Sequence, residues 1–374
     1  MNLLSFKKVF APAVFLMSRL SLLQSFLIVG FLFALLFCVG LFSFVTDVNR
    51  NIATALSQQA GLRYVNPTQR LLEDMQQHRG LTGAYLGGYK NFEKELAYKR
   101  SEIKRDFSNL ERAAVEFETQ FKTESELAYV SDIKNEWLEL ERMIDDHSLT
   151  VEVSFEKHTH ITQDILLLLA QIGDTSGLTH DAHTDSLYLV DAIINRVPVI
   201  SENIGQARVA GLTMQVNKII SQSDKQVFLS TSIIANANMQ EIQRGMQTAF
   251  KGNMRLREQL AVPLEDTSRE VDSFLEIVDK RFIRAETNTI ERLEYYTTIT
   301  RLIDHVFMFN DIATASLGNL LQDRVNALQA KRNIGALSFG AIFVLVLYFF
   351  VGLYLKSRCG TNGANDTHSA SVQG

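Results

Sequence analysis

Two runs without a charged residue, 20–45 (LSLLQSFLIVGFLFALLFCVGLFSFV) and 333–355 (NIGALSFGAIFVLVLYFFVGLYL), bracket the rest of this chain. A hydrocarbon core about 30 Å thick is crossed by a helix of about 20 apolar residues, so each run is long enough to span one. The first run exceeds a signal-peptide core and has no small-x-small cleavage pattern after it, so it reads as an uncleaved anchor. Lys7, Lys8 and Arg19 precede the first run and Lys356 and Arg358 follow the second, which places both termini in the cytoplasm. Lys331 and Arg332 pull the other way and are outnumbered. The expected organisation is a cytoplasmic segment over 1–21, transmembrane helices over 22–45 and 334–355, a domain on the far side over 46–332, and a cytoplasmic tail over 356–374. The whole-chain mean hydropathy of +0.02 hides this division.

Charge divides in the same way. The flanks hold the five cations named above against Asp366, so a chain of net charge −5 leaves −9 on residues 46–332. Phosphate contacts need a basic surface, which argues against a nucleic-acid partner. Both cysteines, Cys38 and Cys359, fall outside this segment, so no disulfide holds it and an apolar core must. No nucleophile motif, phosphate-cradling glycine loop or metalloprotease His-Glu pair is present, and neither an enzyme nor a cofactor is expected.

The pattern between the runs is all-helical. Phe92, Leu96, Ile103, Phe107 and Leu110, and again Ile161, Ile165, Leu168 and Ile172, recur at helical spacing, and residues 89–172 contain neither Gly nor Pro. Breaks fall at 87–91, 122–125, 173–185 and 222–224. Helices of 20 to 40 residues in antiparallel order would fill one four-helix bundle with roughly 130–160 residues, so this segment accommodates two stacked bundles. The boundary is placed at 173–185.

Leu72, Met75, Arg79, Thr82 and Leu86 step by three and four along one inward-facing stripe. A guanidinium cannot lose its proton and is costly to bury alone, so Arg79 needs an acceptor. Two readings are open: an acidic side chain from a neighbouring helix, or a small external anion matched to the planar fork of arginine. Farther on, Ile193, Val197, Ile200, Ile204 and Ala207 form a second stripe with Arg196 and Arg208 on its shoulders, and Pro198 deprives the Ile194 carbonyl of its helical donor. The loop THDAHTD (179–185), with His158 and His160 nearby in sequence, is the best metal candidate. It reads instead as a connection and helix cap, and no metal site is predicted.

The stretch QHRGLTGAYLGGYKNFEKELAYKRSEIKRDFSNLE (77–111) resembles the first half of the nitrate- and nitrite-sensing domain family, in which an Arg-Gly pair near a helix end precedes a glycine turn and a Lys/Arg-rich helix. Residues 178–213 are similar to the second half of extracytoplasmic sensor regions in chemotaxis receptors, sensor kinases and diguanylate cyclases. The resemblance implies a periplasmic sensor in a bacterial inner membrane, with an anion held between helices by Arg79, with Arg208 or Arg196 as the second arginine and Thr82 on the same stripe. Relatives of this kind continue into an output module, whereas KSRCGTNGANDTHSASVQG (356–374) is too polar to build a core and is expected to be disordered. The implied mode of action is helix movement relayed across the membrane to a second copy or a partner signalling protein. The competing expectations are a membrane interaction protein that binds no small molecule and modulates full-length receptors, and a truncated receptor remnant.

Overall fold

The apolar spacing becomes a set of buried faces. In the computed structural model, which describes residues 3–123, 125–146, 148–214 and 219–370, Ile103, Phe107, Leu110, Ala114 and Phe117 line the inner side of α3 (Glu93–Phe121). Val130, Ile133, Trp137, Leu140 and Ile144 do the same on α4 (Glu126–Asp145), and Ile161, Ile165, Leu168 and Ile172 on α5 (Val151–Ser176). These three helices and α2 (Leu22–Leu86) make the first bundle, with Tyr64 of α2 on Phe117 of α3 at 5.1 Å and His78 of α2 edge-on to Trp137 of α4 at 4.7 Å. The second bundle comprises α6 (Thr184–Val190) with α7 (Val197–Thr213), α8 (Gln222–Gly252), α9 (Met254–Val278) and α10 (Arg292–Ala370). Phe228 of α8 stacks there on Phe282, centroids 4.0 Å apart, and Phe282 meets Tyr295 of α10. The fold is all-α; among the described residues the one extended pairing is an isolated bridge between Ile219 and Thr287.

Residues 54–323 form one compact unit, and one buried apolar cluster runs through both bundles from Leu62 to Leu321. The bundles lie against each other along α2, α7 and α10. Gln69 of α2 donates to Asn310 of α10 at 3.4 Å, and Arg70 of α2 pairs with Asp311 of α10 at 2.6 Å. The chain passes from one bundle to the other between α5 and α6, within the 173–185 stretch. Gly177 takes φ +75 there, a left-handed turn that ends α5 without a Cβ penalty. Thr150 caps α5 through Val153 N, and Ser221 with Asp224 forms a reciprocal capping box on α8.

Close approach of α2 to the end of α5 depends on Gly61. A Cβ at this position would sit 2.1 Å from Ser176 Oγ and 2.3 Å from Ser176 Cβ, in a region where Ser57 Oγ already donates to the Ser176 carbonyl and Gln58 to that of Gly177. Overpacking of this kind costs about 1–3 kcal/mol, so Gly61→Ala is expected to lower the urea midpoint correspondingly.

A π-helical segment, Asp191–Arg196, joins α6 to α7. Pro198, near the first turn of α7, cannot donate to the Ile194 carbonyl, and the wider π turn absorbs this break. Gln69 Nε2 from α2 takes the neighbouring Ile193 carbonyl at 3.0 Å. The bend is thereby stitched into the interior.

The second unit contains residues 1–53 and 324–374, including α1 (Leu3–Ser18). The apolar parts of α2 and α10 carry 18-residue windows of mean hydropathy 2.7 and 2.5 and are unburied, unlike the core helix of a soluble protein. They are long and apolar enough to cross a membrane. Their mutual packing is aromatic, with Phe26 on Phe350 and Tyr354, and Phe37 on Phe339 and Phe343. Gly335 makes room for the Phe44 ring, whereas Gly340 meets nothing. The tail departs from expectation: α10 continues to Ala370 where composition predicts no regular structure, and 371–374 lie outside the described residues. Extending an existing helix costs far less than nucleating one, which lets a polar sequence follow the apolar one as helix.

Candidate functional site

Arg79 does face inward, as its stripe requires, and it is only 1 % exposed. Its acceptor is internal. The guanidinium forks onto Glu202 of α7, with N–H···O distances of 2.7 and 2.9 Å, and a further N–H reaches Thr159 Oγ1 of α5 at 3.0 Å. Gln76 and Gln206 also donate to the two Glu202 oxygens, at 3.0 and 2.8 Å. Four donor contacts saturate this carboxylate, which is how a buried charge is made tolerable. Of the two readings of Arg79, the acidic side chain from a neighbouring helix is the one realised.

Arg208, also 1 % exposed, has no such partner. It donates to the Gln76 carbonyl of α2 at 2.9 Å and to Thr300 Oγ1 of α10 at 3.1 Å, and its guanidinium carbon lies 5.3 Å from the Tyr296 ring centre. Both acceptors, one a backbone carbonyl and one a hydroxyl, are neutral, and no carboxylate forms an ion pair with it among the described residues. Burial pulls the Arg208 guanidinium below its ordinary range and the Arg79 charge adds to this, while Tyr296 and Asp304 act the other way. Asp304 is pushed up by its own burial.

Each arginine rests on the other helix's glycine. A Cβ on Gly80 would meet the Arg208 guanidinium at 2.6 Å, and one on Gly205 would meet Arg79 at 3.0 Å. The Arg-Gly pair of α2 thus has a local physical cause: Arg79 crosses to α7 and Gly80 leaves the space into which Arg208 crosses back. Several buried polar atoms here lack a partner, namely the Nε of Arg79, the Nε of Arg208, Gln76 Oε1 and His78 Nε2. Two fixed cations, one carboxylate and two spare N–H donors leave one positive charge unmatched.

Below this pair the chain buries two neutral histidines. His158 Nδ1 lies 2.7 Å from the Ser154 carbonyl and must donate to it, so His158 Nε2 accepts from His78 Nδ1 at 2.8 Å. Burial holds His158 down at about 3 against the Ser154 hydrogen bond, with the Arg79 and Arg100 charges contributing, and burial holds His78 well below its ordinary range, with His158, Arg100 and Lys99 contributing. Thr82 belongs to this pair, its hydroxyl 3.3 Å from His78 Nδ1, and has no hydrogen bond to either arginine. Arg196 is not part of the site: it lies in the π segment, turned outward to Asp191 and Asn238 of α8 at 3.0 and 3.2 Å. Of Arg79, Arg208, Arg196 and Thr82, the structure brings Arg79 and Arg208 together, sets Thr82 with the histidines and turns Arg196 away.

Glu202 and Thr300 did not stand out in sequence. Glu202 had one available signal: it is the only carboxylate between Ala192 and Thr213. In the THDAHTD loop, His183 folds onto Asp181 at 3.0 Å. The described residues that could together hold a metal are Glu136, His160 and Asp164, a largely exposed set already hydrogen-bonded internally at His160–Asp164.

No protein-family model matches the chain, and no curated protein matches it in sequence. The assignment to the nitrate- and nitrite-sensing family is thereby corrected: the two stretches that suggested it are diffuse helical motifs, and their Arg-Gly pair is accounted for by the packing just described. Among solved structures, the chain is similar to the NasR transcription antiterminator, with a TM-score of 0.57 and 14 % identity over 85 % of this chain and 83 % of that one. The likeness is one of fold.

Proposed function

We propose that this protein is a membrane-anchored sensor that binds a small anion, of the nitrate or nitrite type, at Arg208 beside Arg79. One observation carries the reading: a fully buried guanidinium with no carboxylate in ion-pair contact among the described residues, an unused Nε–H and a second buried guanidinium nearby. Buried charges are normally paired, and a small monovalent anion supplies what is missing. The protein is read as a binding protein with no catalytic role, its anion-binding domain on the periplasmic side of a bacterial inner membrane. The site joins α7 to α2 through Gln76 and to α10 through Thr300, and α2 and α10 are the helices that carry the apolar windows. An anion bound more tightly in one arrangement of these helices would favour that arrangement, and the displacement would reach a second copy or a partner signalling protein in the membrane.

The alternative, an interaction protein with no small ligand, takes its support from the Arg79–Glu202 pair, which is complete without one. Thermal unfolding of the full chain in nanodiscs separates the two. At about 100 times its dissociation constant, an anion adds roughly 2.7 kcal/mol, so nitrate, nitrite or chloride should raise the melting temperature of the wild type and not of Arg208→Ala. A folded wild type indifferent to all three would favour the interaction protein.

A further inference from the structure

The outer face of α8 differs from the rest of the helical unit. No charged residue occurs over 226–240 (QVFLSTSIIANANMQ), whereas α3 exposes Lys94, Lys104 and Arg105 and α9 exposes Arg257, Glu258 and Glu265. Phe228, Thr231, Ala235 and Met239 take the buried side of α8, and its remaining apolar residues face outward. Val227, Leu229, Ile233 and Ile234 are 37–59 % exposed, four large apolar side chains within two turns of helix. Single apolar residues scattered on a surface are ordinary, but a contiguous set marks a contact surface.

The spacing suits a second helix. Gln226, Ser230, Ile233, Ala237 and Gln240 alternate steps of four and three along the middle of this face, the repeat by which two helices interlock side chains. Ser230 and Ala237 are small enough to allow close approach, with Leu229 and Ile234 on the two flanks. Polar groups here already bond within α8: Ser230 Oγ donates to the Val227 carbonyl at 2.9 Å, Asn238 to that of Ile234 at 2.8 Å, and Gln240 to Asn236 Oδ1 at 3.3 Å. The desolvation cost of covering them is correspondingly reduced.

Charge identifies the partner. α8 runs in the direction of α10, since Phe228 lies on Phe282 and Phe282 on Tyr295 at one end, while Arg255, just past the other end, pairs with Asp323. On the membrane-anchored reading, two copies in one bilayer stand the same way up, and a two-fold pair sets α8 beside its own copy in parallel. Each residue at the centre of such a seam meets its counterpart, so any charge there would meet a like charge. A charge-free seam is what self-pairing of an acidic domain requires. At its C-terminal edge Glu241 and Arg244 lie 2.6 Å apart and offer both signs, so each can reach the opposite residue of the second copy. A helix lying on a lipid surface carries Lys and Arg along its polar edge, and α8 has none between Lys225 and Arg244. A seam of about 22 Å buries less than a free-standing complex needs, but copies confined to one membrane meet at high effective concentration.

We infer that α8 pairs through this face with α8 of a second copy, making the helical unit a parallel homodimer. The inference rests on the anchored reading for its parallel orientation and is independent of the anion.

The test is oxidative cross-linking of the full chain in membranes of expressing cells, with Cys38→Ser and Cys359→Ser removing the native thiols. Ile233→Cys should give a disulfide-linked dimer in at least tenfold higher yield than Val262→Cys, a similarly exposed position on α9. Ile233→Glu and Ile233→Lys should each lose self-association, yet co-purify with each other when co-expressed under different tags, because position 233 meets its own counterpart. Both are surface replacements, and unchanged melting temperatures would verify the fold. With the chain in the membrane fraction, cross-linking no better at 233 than at 262, self-association retained by both charged variants, or a cross-link from 233 to another protein alone would overturn the pairing. Recovery of the chain in the soluble fraction would overturn the anchored reading and the parallel pairing with it.

Discussion

Replacing Glu202 with alanine is expected to destabilise the helical unit by about 3–5 kcal/mol, the cost of stranding one member of a buried ion pair. The loss is larger than the apolar area of the side chain would suggest. Without the carboxylate, the Arg79 fork keeps only Thr159, Gln76 and Gln206 lose their acceptor, and two uncompensated guanidiniums share one interior. Glu202→Gln retains the shape and loses the charge, so it should recover little of the stability. Arg79→Met should be the milder partner exchange, because the glutamines still donate to Glu202 and an apolar chain of similar length fills the core. Chemical denaturation of the four combinations in a double-mutant cycle would measure the coupling directly.

Acidification supplies the second large effect, through His158. Its folded-state value, about 3, lies below the ordinary 6.5, so the neutral ring is favoured in the folded protein. The stabilisation is complete above pH 6.5 and is lost as pH falls from there toward 3, because the unfolded chain takes up the proton first. Between pH 6.5 and 4.5 the loss from this one ring is about 2–3 kcal/mol, and His78 acts with the same sign. Asp106, pushed by burial and Asp74 up to about 8, and Glu73 act with the opposite sign over that interval and flatten the overall profile. Comparing the wild type with His158→Gln isolates the ring. The stability advantage of the wild type should shrink by about 2–3 kcal/mol between pH 6.5 and 4.5, and an advantage independent of pH would show that His158 is not held neutral.

What was legible in the sequence is what periodicity and composition encode. The apolar spacing located the inward faces of α3 and α5, the two charge-free runs became the two longest helices, and the stripe through Leu72, Met75 and Thr82 placed Arg79 in the interior. Glycine and acidic residues at 173–185 marked the passage between bundles. The break between Asp145 and Val151 was not legible, because it contains no Gly or Pro and depends on Thr150 capping the next helix. The break between α8 and α9 shrinks to the single residue Asn253, whose side chain caps α9 through Leu256 N. The site was half visible. A single chain reports that Arg79 needs an acceptor but not which of 42 carboxylates comes within 3 Å of it, since that depends on how α2 and α7 pack. Arg196 and Arg208 lie on the two shoulders of one stripe, and the π segment, which ends at Arg196, turns the first outward while the second stays buried.

Anion binding at Arg208 is the proposal on which the sensor reading turns. Isothermal titration of nitrate into the full chain, the Arg208→Met variant and the Glu202→Gln variant tests it directly. The account predicts saturable binding to the wild type, none to Arg208→Met, and retained or tighter binding to Glu202→Gln, where the Arg79 fork has become available. Equal binding to the wild type and to Arg208→Met would contradict it.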